Sequence, residues 1–545
     1  VKIIGGGMSL GGTFLRCLLV GGLCAGCSLQ ATKPPTVALP PAFERALPGD
    51  TVNWPSKEWY HGFASSELDA LIDQATNDNL DLSAARARIA QADARARQAH
   101  AAILPSVDAG GAANYLAGHS VNGTGHETDW SALLSASYEV DFWGKKRATA
   151  DSAHYLAIAS RADRDTVALT TLSGVANGYF QVLTLRERLS IAHGNLDAAR
   201  SLLDVVESRY KVGLSNPVEL ATQRAALAAA ELTIPELEQL EEEALAALAV
   251  LVGRQPEGFT IRGAPVESLV EPSIAAGLPS ELLTRRPDIF TAEANLKSAN
   301  ADLVVARAAL LPSLTLTASG GVANPALNAA INSLSGVGPT MNLGASLVQP
   351  IFDGGRLRAL RAEAQAKDEE LITSYRATIL AALVDVENSL SAVHHLDAAR
   401  EFQNENLAQS ERAFEGARLR YKEGSGDFLT LLEAQKILYA VRDQFSQYKL
   451  ARLQALVSLC KALGGGWQAP DAAAPVPAAV VPADAGVPPV PAAVVPADAR
   501  VLPARAAVVP ADARVLPARA AVVPADAGVP PTGAVRLPAA PGLVF

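Results

Sequence analysis

Side chains able to do covalent or acid–base chemistry are few and scattered in this sequence. The eight histidines include the adjacent pair His394-His395, which reads as a solvated helix face. His126-Glu127 lacks the second histidine of a zinc-protease helix and falls in a Gly/Asn/Ser-rich stretch read as loop. No Gly-x-Ser-x-Gly elbow and no phosphate-binding loop occur. The chain therefore reads as no enzyme, with no cofactor and no metal site. What remains is the chemistry of charge beside two repeated turns. Glu219 follows Arg209-Tyr210-Lys211-Val212-Gly213-Leu214. Asp427 and Glu433 follow a partial copy, Arg420-Tyr421-Lys422-Glu423-Gly424-Ser425, which lies 211 positions later (420 − 209). Acids near a helix start are favoured by the macrodipole.

The other reactive type is cysteine. Arg16 and the short apolar run Cys17 to Leu23 read as an export signal, too short to span a bilayer, with Met8 as a possible start after an extension Val1 to Gly7. Ala25-Gly26-Cys27 then resembles a bacterial lipobox, in which the cysteine becomes acylated, although Cys24 replaces the usual aliphatic residue. A plain cleaved signal peptide is the alternative. Ser28 rather than Asp follows the cysteine, which by resemblance favours the outer membrane. After cleavage before Cys27 the chain keeps Cys460 as its other thiol, in the apolar run Leu456 to Cys460, so the fold must hold without an intramolecular disulfide.

The elements that must position these groups are long. The 545 residues are 49% hydrophobic, 19% charged and only 5% aromatic, with a formal net charge of −10. Mild acidity and the lack of a basic block argue against nucleic acid as partner. Residues 28–64 are Pro-rich. Ser65/Ser66 cap a helix predicted to run to about Ile103, closed by Pro105. Residues 106–116 and 131–141 read as strands, because Leu134, Ala136, Tyr138 and Val140 alternate with Ser135, Ser137, Glu139 and Asp141. Their length fits a tilted membrane strand, or equally a soluble hairpin. The loop between them is placed at 117–129, and Phe142-Trp143-Gly144 closes the second strand. From Lys145 to Lys211 the pattern is helical, with Leu189, Leu196, Leu203 and Tyr210 seven apart, a rod of ~100 Å. Gly213 suits a left-handed helix end, Ser215 or Asn216 a cap and Pro217 a first helical position, so a second helix returns from 217 to about 252.

The plan then repeats. Ala308 to Ser313 echoes Ala101 to Ser106 at an offset of 207 (312 − 105 for the prolines), and Leu407, Phe414 and Tyr421 copy Leu196, Leu203 and Tyr210 at 211 (421 − 210). Strands are expected at 314–320 and 341–349 around a loop at 321–340. From about Ala469, Val-Val-Pro-Ala-Asp-Ala recurs at 480, 494, 508 and 522, a Pro-rich tail read as disordered. The expected segments are a leader at 1–26, a lipidated linker at 27–64, a first repeat at 65–252, a connection at 253–285, a second repeat at 286–468 and the tail at 469–545. Four strands cannot close a membrane barrel, and open edges in lipid cost several kcal/mol per unpaired group. Membrane-spanning strands here would require several copies.

Taken together, Tyr138 to Lys145 (Tyr-Glu-Val-Asp-Phe-Trp-Gly-Lys), Leu278 to Asp288, Gln349 to Arg356 and the two turns resemble the outer-membrane factors of tripartite efflux pumps, the TolC-type and NodT-type lipoprotein channels, over about Trp59 to Gly466. The resemblance implies a mainly α fold with a membrane β part: a homotrimer whose twelve-stranded outer-membrane β-barrel continues as a periplasmic α-helical barrel. It implies docking of a periplasmic adaptor at the tips, through Val212, Gly213 and Leu214 and, in a departing second copy, Gly424 and Ser425. It also implies a periplasmic gate at Glu219, Tyr421 and Glu433, with Asp427 adding an acid and Thr430 standing where some members carry one. The energy source would be an inner-membrane RND-type pump, and the lipid partner the outer membrane. A type I protein exporter as partner, or a structural coiled-coil lipoprotein with no channel, are the competing readings.

Overall fold

A computed structural model of the chain describes residues 39–44, 54–120, 123–274, 277–323 and 338–469. The expected export leader, Cys27 and the repeats beyond Ala469 lie outside the described residues. The expected first helix is two helices, α1 (Ser66–Asp78) and α2 (Leu80–Ala101). Ser65 caps α1. The break at Asn79 is built: its backbone is extended, its side chain accepts from Leu82 N at 3.0 Å, and its Nδ2 donates to Leu251 O at 2.8 Å. An Asx cap competing with helix continuation explains the interruption.

Strands β1 (Ser106–Ser120) and β2 (Gly123–Val140) pair antiparallel out to Ser120 opposite Gly123. The loop expected at 117–129 is thus largely strand, and His126-Glu127 sits inside β2. Continuous cross-strand pairing overrides a weak local propensity. Strands of 15 and 18 residues exceed the ~9–11 that cross a bilayer, so this hairpin extends past the hydrocarbon.

Helix α3 (Lys145–Lys211) and helix α4 (Pro217–Leu251, continuing through Pro235) complete the first half. A single helical turn at Leu282–Arg285 leads into α5 (Pro287–Ala308), then β3 (Ser313–Ala323), β4 (Gly338–Val348), α6 (Arg356–Lys422) and α7 (Phe428–Ala462). The duplication is tight. The pairs α2/α5, α3/α6 and α4/α7 have equal lengths of 22, 67 and 35 residues, and the last two pairs share one offset of 211 (356 − 145 and 428 − 217).

The four strands form one sheet in the order β1-β2-β3-β4, leaving β1 and β4 as open edges. Register assigns its two faces. Val107, Ala136, Ala318 and Leu343 lie in one row, and Val140, Leu314 and Leu347 in another. On the opposite face Asp108, Ser135, Ser319 and Asn342 align, as do Ser106, Ser137 and Thr317. The sheet is therefore apolar on one side and hydroxyl-rich on the other, the pattern of a wall between lipid and water.

Next to the sheet the helices lie in the order α2, α3, α5, α6, and toward the tips in the order α4, α3, α7, α6. Between these zones is a waist, whose core holds Phe63, Leu68, Ile72, Tyr179, Phe180, Leu248 and Val457. Cys460 is buried there, its thiol pushed up to about 12 by desolvation, an inert packing group. The connection 253–285 is strapped to this waist by charge. Glu67 accepts from the backbone of Arg262 at 2.6 Å and Gly263 at 2.9 Å, and Lys449 bridges Glu187 and Glu267. Among the described residues no helix is long and apolar enough to cross a membrane.

Candidate functional site at the helical tips

Both hairpin tips are built alike. Helix α3 ends with Gly213 at φ +77°, Gly213 N donating to Tyr210 O (3.0 Å) and Leu214 N to Arg209 O (2.8 Å). Helix α6 ends with Gly424 at φ +79°, Gly424 N donating to Tyr421 O (3.1 Å) and Ser425 N to Arg420 O (3.0 Å). These are two Schellman ends, which require a residue tolerant of the left-handed conformation. The returning helices start on Asx caps: Asn216 accepts from Glu219 N at 2.9 Å and Asp427 from Thr430 N at 2.8 Å.

On these matched frames the exposed chemistry differs. The first tip presents Val212 and Leu214, 69% and 67% exposed, followed by exposed Val218. The second presents Glu423, Gly424 and Ser425, all exposed, with Leu429 one turn on. An apolar contact area of this kind, held on a rigid turn and open to solvent, is suited to receiving a partner.

The sequence-derived gate residues divide into two groups. Tyr421 and Glu219 come together: the Tyr421 hydroxyl donates to Glu219 Oε2 at 3.4 Å, and the same carboxylate accepts from Ser215 Oγ (2.6 Å) and Asn216 Nδ2 (3.1 Å). Burial, then the adjacent Glu219 charge, raises the Tyr421 phenol above its ordinary value. Asp427 is occupied as a helix cap, and hydrogen bonds from Thr430 lower its carboxyl. Glu433 is exposed and lines a groove of about 650 Å³ between α6 and α7, with Gln409, Thr430 and Ile437. The structure therefore joins Glu219 to Tyr421, while Glu433 lines the groove beside α6.

One residue of this site escaped the sequence reading. Arg209, in the last turn of α3, donates Nη1 to Tyr421 O at 3.0 Å and lies over the Tyr421 ring at 4.7 Å. It ties the end of the first long helix to the end of the second. Beneath it Leu202, Val206, Phe414, Phe428 and Leu431 form a small shared core. The signal available was the repeated Arg-Tyr-Lys, but a contact spanning 212 positions is not visible in a repeat.

Among the described residues no group of three or more His, Cys, Asp or Glu side chains could hold a metal ion. The sequence profile of the family described as "Outer membrane efflux protein" matches the chain twice over, at residues 71–254 and 278–465. The chain is 46% identical over 422 residues to the "Pyoverdine export outer membrane protein OpmQ" of Pseudomonas aeruginosa, covering 76% of this chain and 88% of that one. It is 28% identical over 448 residues to the "Cation efflux system protein CusC" of Escherichia coli, covering 81% and 96%. Among solved structures, the outer-membrane channel OprN superposes with a TM-score of 0.75 at 26% identity, over 82% of this chain and all of that one. The open state of the Neisseria gonorrhoeae MtrE outer membrane channel gives 0.72 at 29% identity, over 81% and 98%. The chain belongs to the outer membrane efflux protein family and is an efflux channel of the outer membrane, not an enzyme.

Proposed function

We propose that this chain is the passive exit duct of a tripartite efflux pump, assembled as a homotrimer. The observation that carries this is the pairing of an open four-stranded sheet with two 67-residue helices that leave it and end in solvent-exposed tips. The free edges β1 and β4 require partners in lipid, and neighbouring copies supply them as a closed twelve-stranded barrel. The hydroxyl rows then face the lumen. The tips reach ~100 Å from the sheet, far enough to meet a periplasmic adaptor and, through it, an inner-membrane RND-type pump.

In this reading Val212, Gly213 and Leu214 form the apolar docking site for the adaptor, with Gly424 and Ser425 as its polar counterpart. Glu219, Tyr421, Asp427 and Glu433 line the periplasmic gate, and separation of Tyr421 and Arg209 from their partners opens it. Cys27 carries the lipid anchor. Phe43 shares a core cluster with Ile379, which lies ~35 Å along α6 from its start, and the sixteen residues from Cys27 can span ~55 Å. An acyl chain on Cys27 is therefore within reach of the membrane.

The cargo is a small exported compound. The 46% identity to a pyoverdine export protein favours a polar secreted metabolite among the drugs and toxic compounds such pumps expel. Single-channel recording of the purified protein in planar bilayers tests the duct. Defined conductance supports it, and none would leave a structural coil. Gene deletion separates the pump reading from type I protein secretion, since the first changes small-molecule tolerance and the second the secreted proteins.

A further inference from the structure

The row of helices near the tips ends in two sides that the duplication matches to one another. Helices α3 and α6 are counterparts at an offset of 211, as are α4 and α7, and the four lie in the order α4, α3, α7, α6. Helix α3 therefore has a neighbour on each side. Its counterpart α6 has α7 on one side and the end of the row on the other. The seam between α3 and α7 is fixed by three contacts. Arg188 pairs with Asp443 at 2.6 Å, Tyr439 donates to Asn195 O at 2.6 Å, and Lys449 pairs with Glu187 at 2.8 Å. The counterpart of that seam joins an α6 to an α4, and the α4 of the same chain stands at the far end of the row.

Carrying the three contacts across by the offset gives the register of this second seam. Arg188 maps to Ala399 (188 + 211) and Asp443 to Leu232 (443 − 211). Asn195 maps to Asn406 (195 + 211) and Tyr439 to Ala228 (439 − 211). On α6, Phe402 lies between Ala399 and Asn406, three residues from one and four from the other, and so on their side of the helix. That places it at the level of Leu232. In the single chain Phe402 is 76% exposed and Leu232 61%. Ile191, the counterpart of Phe402 (402 − 211), is half-buried within the chain. The repeat alone thus brings two exposed, large apolar side chains from opposite ends of the row to one level of one seam.

We propose that Phe402 of each copy packs on Leu232 of the partner subunit and sets the register between copies. This rests on the homotrimeric duct proposed above and adds the residue pairing that closes it. The contact is heterologous, α6 of one copy on α4 of the next, so three copies repeat it around a closed ring. The two kinds of seam differ in chemistry. Where the chain joins its own halves through Arg188 and Asp443, copies meet through Ala399 and the partner subunit's Leu232. An apolar joint between separate chains draws its strength from buried area, which salt does not screen.

The test is thiol cross-linking of the full-length protein in detergent with a short bis-maleimide. Asn406→Cys combined with Ala228→Cys leaves Phe402 and Leu232 in place. This pair is expected to convert the single-chain band on a denaturing gel into a ring of three joined chains. Asn406→Cys with Gln239→Cys, which lies ~16 Å further along the same side of α4, is expected not to, and neither is Asn406→Cys alone. Phe402→Ser is expected to weaken trimer association by about tenfold or more in native mass spectrometry. Trimers that fail to cross-link through positions 406 and 228, or that link equally through 239, would overturn the register while the duct reading stands. Unchanged association in Phe402→Ser would overturn the contact. Only single chains in the wild-type native spectrum would remove the homotrimer itself, and this pairing with it.

Discussion

Arg209 is the residue whose removal should most directly loosen the tips. It offers Tyr421 a charged hydrogen bond to the carbonyl at 3.0 Å and a cation over the ring at 4.7 Å. A hydrogen bond to a charged donor is worth ~1.5–3 kcal/mol, and an exposed cation–π contact ~0.5–1. Arg209 is only half-buried, so solvent screening keeps the total near the low end, about 2 kcal/mol. That corresponds to about thirtyfold in the ratio of joined to separated tips for each protomer. Arg209→Ala is therefore predicted to raise the open fraction by about that factor in planar-bilayer recordings. Arg209→Lys, which keeps the charge and loses the planar stack, should fall between. Tyr421→Leu removes the ring but not the carbonyl, so the double variant should open less than the sum of the two singles. Open fractions of Arg209→Ala and wild type that coincide would refute the assignment, because the Tyr421 carbonyl and ring are what Arg209 holds at the second tip.

Four further outcomes follow from the same geometry. Gly213→Pro should abolish pump function while trimers persist on native gels, since φ +77° is closed to proline and the Schellman bond from Gly213 N is lost; loss of the trimer would count against a docking role. Glu433→Ala should raise resting conductance by removing one lining carboxylate, and an unchanged current removes it from the gate. Cys27→Ser should eliminate incorporation of radiolabelled palmitate without altering the circular dichroism spectrum, and retained label would place the acyl chain elsewhere. Acid should loosen the waist strap. The hydrogen bond from Lys449 lowers Glu267 below its reference value of 4.5, so this stabilisation is present above pH 4.5 and lost as pH falls through the folded value. Hydrogen exchange at 262–270 should therefore accelerate in that window, and equal protection at neutral and acidic pH would contradict it.

The parts of this molecule that were legible in the sequence are those encoded locally. Gly213 and Gly424 end helices because of their own backbone freedom, and Asn216 caps because of its own side chain. The heptads through Leu196 and Leu203 likewise read out a helix face. The parts that were not legible depend on distant partners. Asn79 breaks the first helix partly because Leu251 O waits 172 positions away. Residues 117–120 are strand because they pair with 123–126, and 127–129 because they pair with 114–116, although neither composition favours it. The Arg209–Tyr421 contact joins the ends of two repeats, and a repeat search compares such segments without revealing that they touch.

The divergence of the two tips has a consequence for recognition. The positions that set the backbone keep their chemistry: glycine at the helix end, an Asx residue at the following cap. The positions that face outward do not. Val212 and Leu214 become Glu423 and Ser425, Pro217 becomes Phe428, and Glu219 becomes Thr430 across one constant offset of 211 (423 − 212). Val212 and Leu214 stand about two-thirds exposed at one tip, apolar surface whose hydration is unfavourable unless a partner covers it. In a closed ring of three copies the six tips would therefore alternate between apolar and polar. A partner with a single repeated binding face would match only half of them. In the proposed pump, an adaptor that engages every tip would carry two distinct faces, or would bind the apolar tips tightly and the polar ones weakly and so leave the second set free to move.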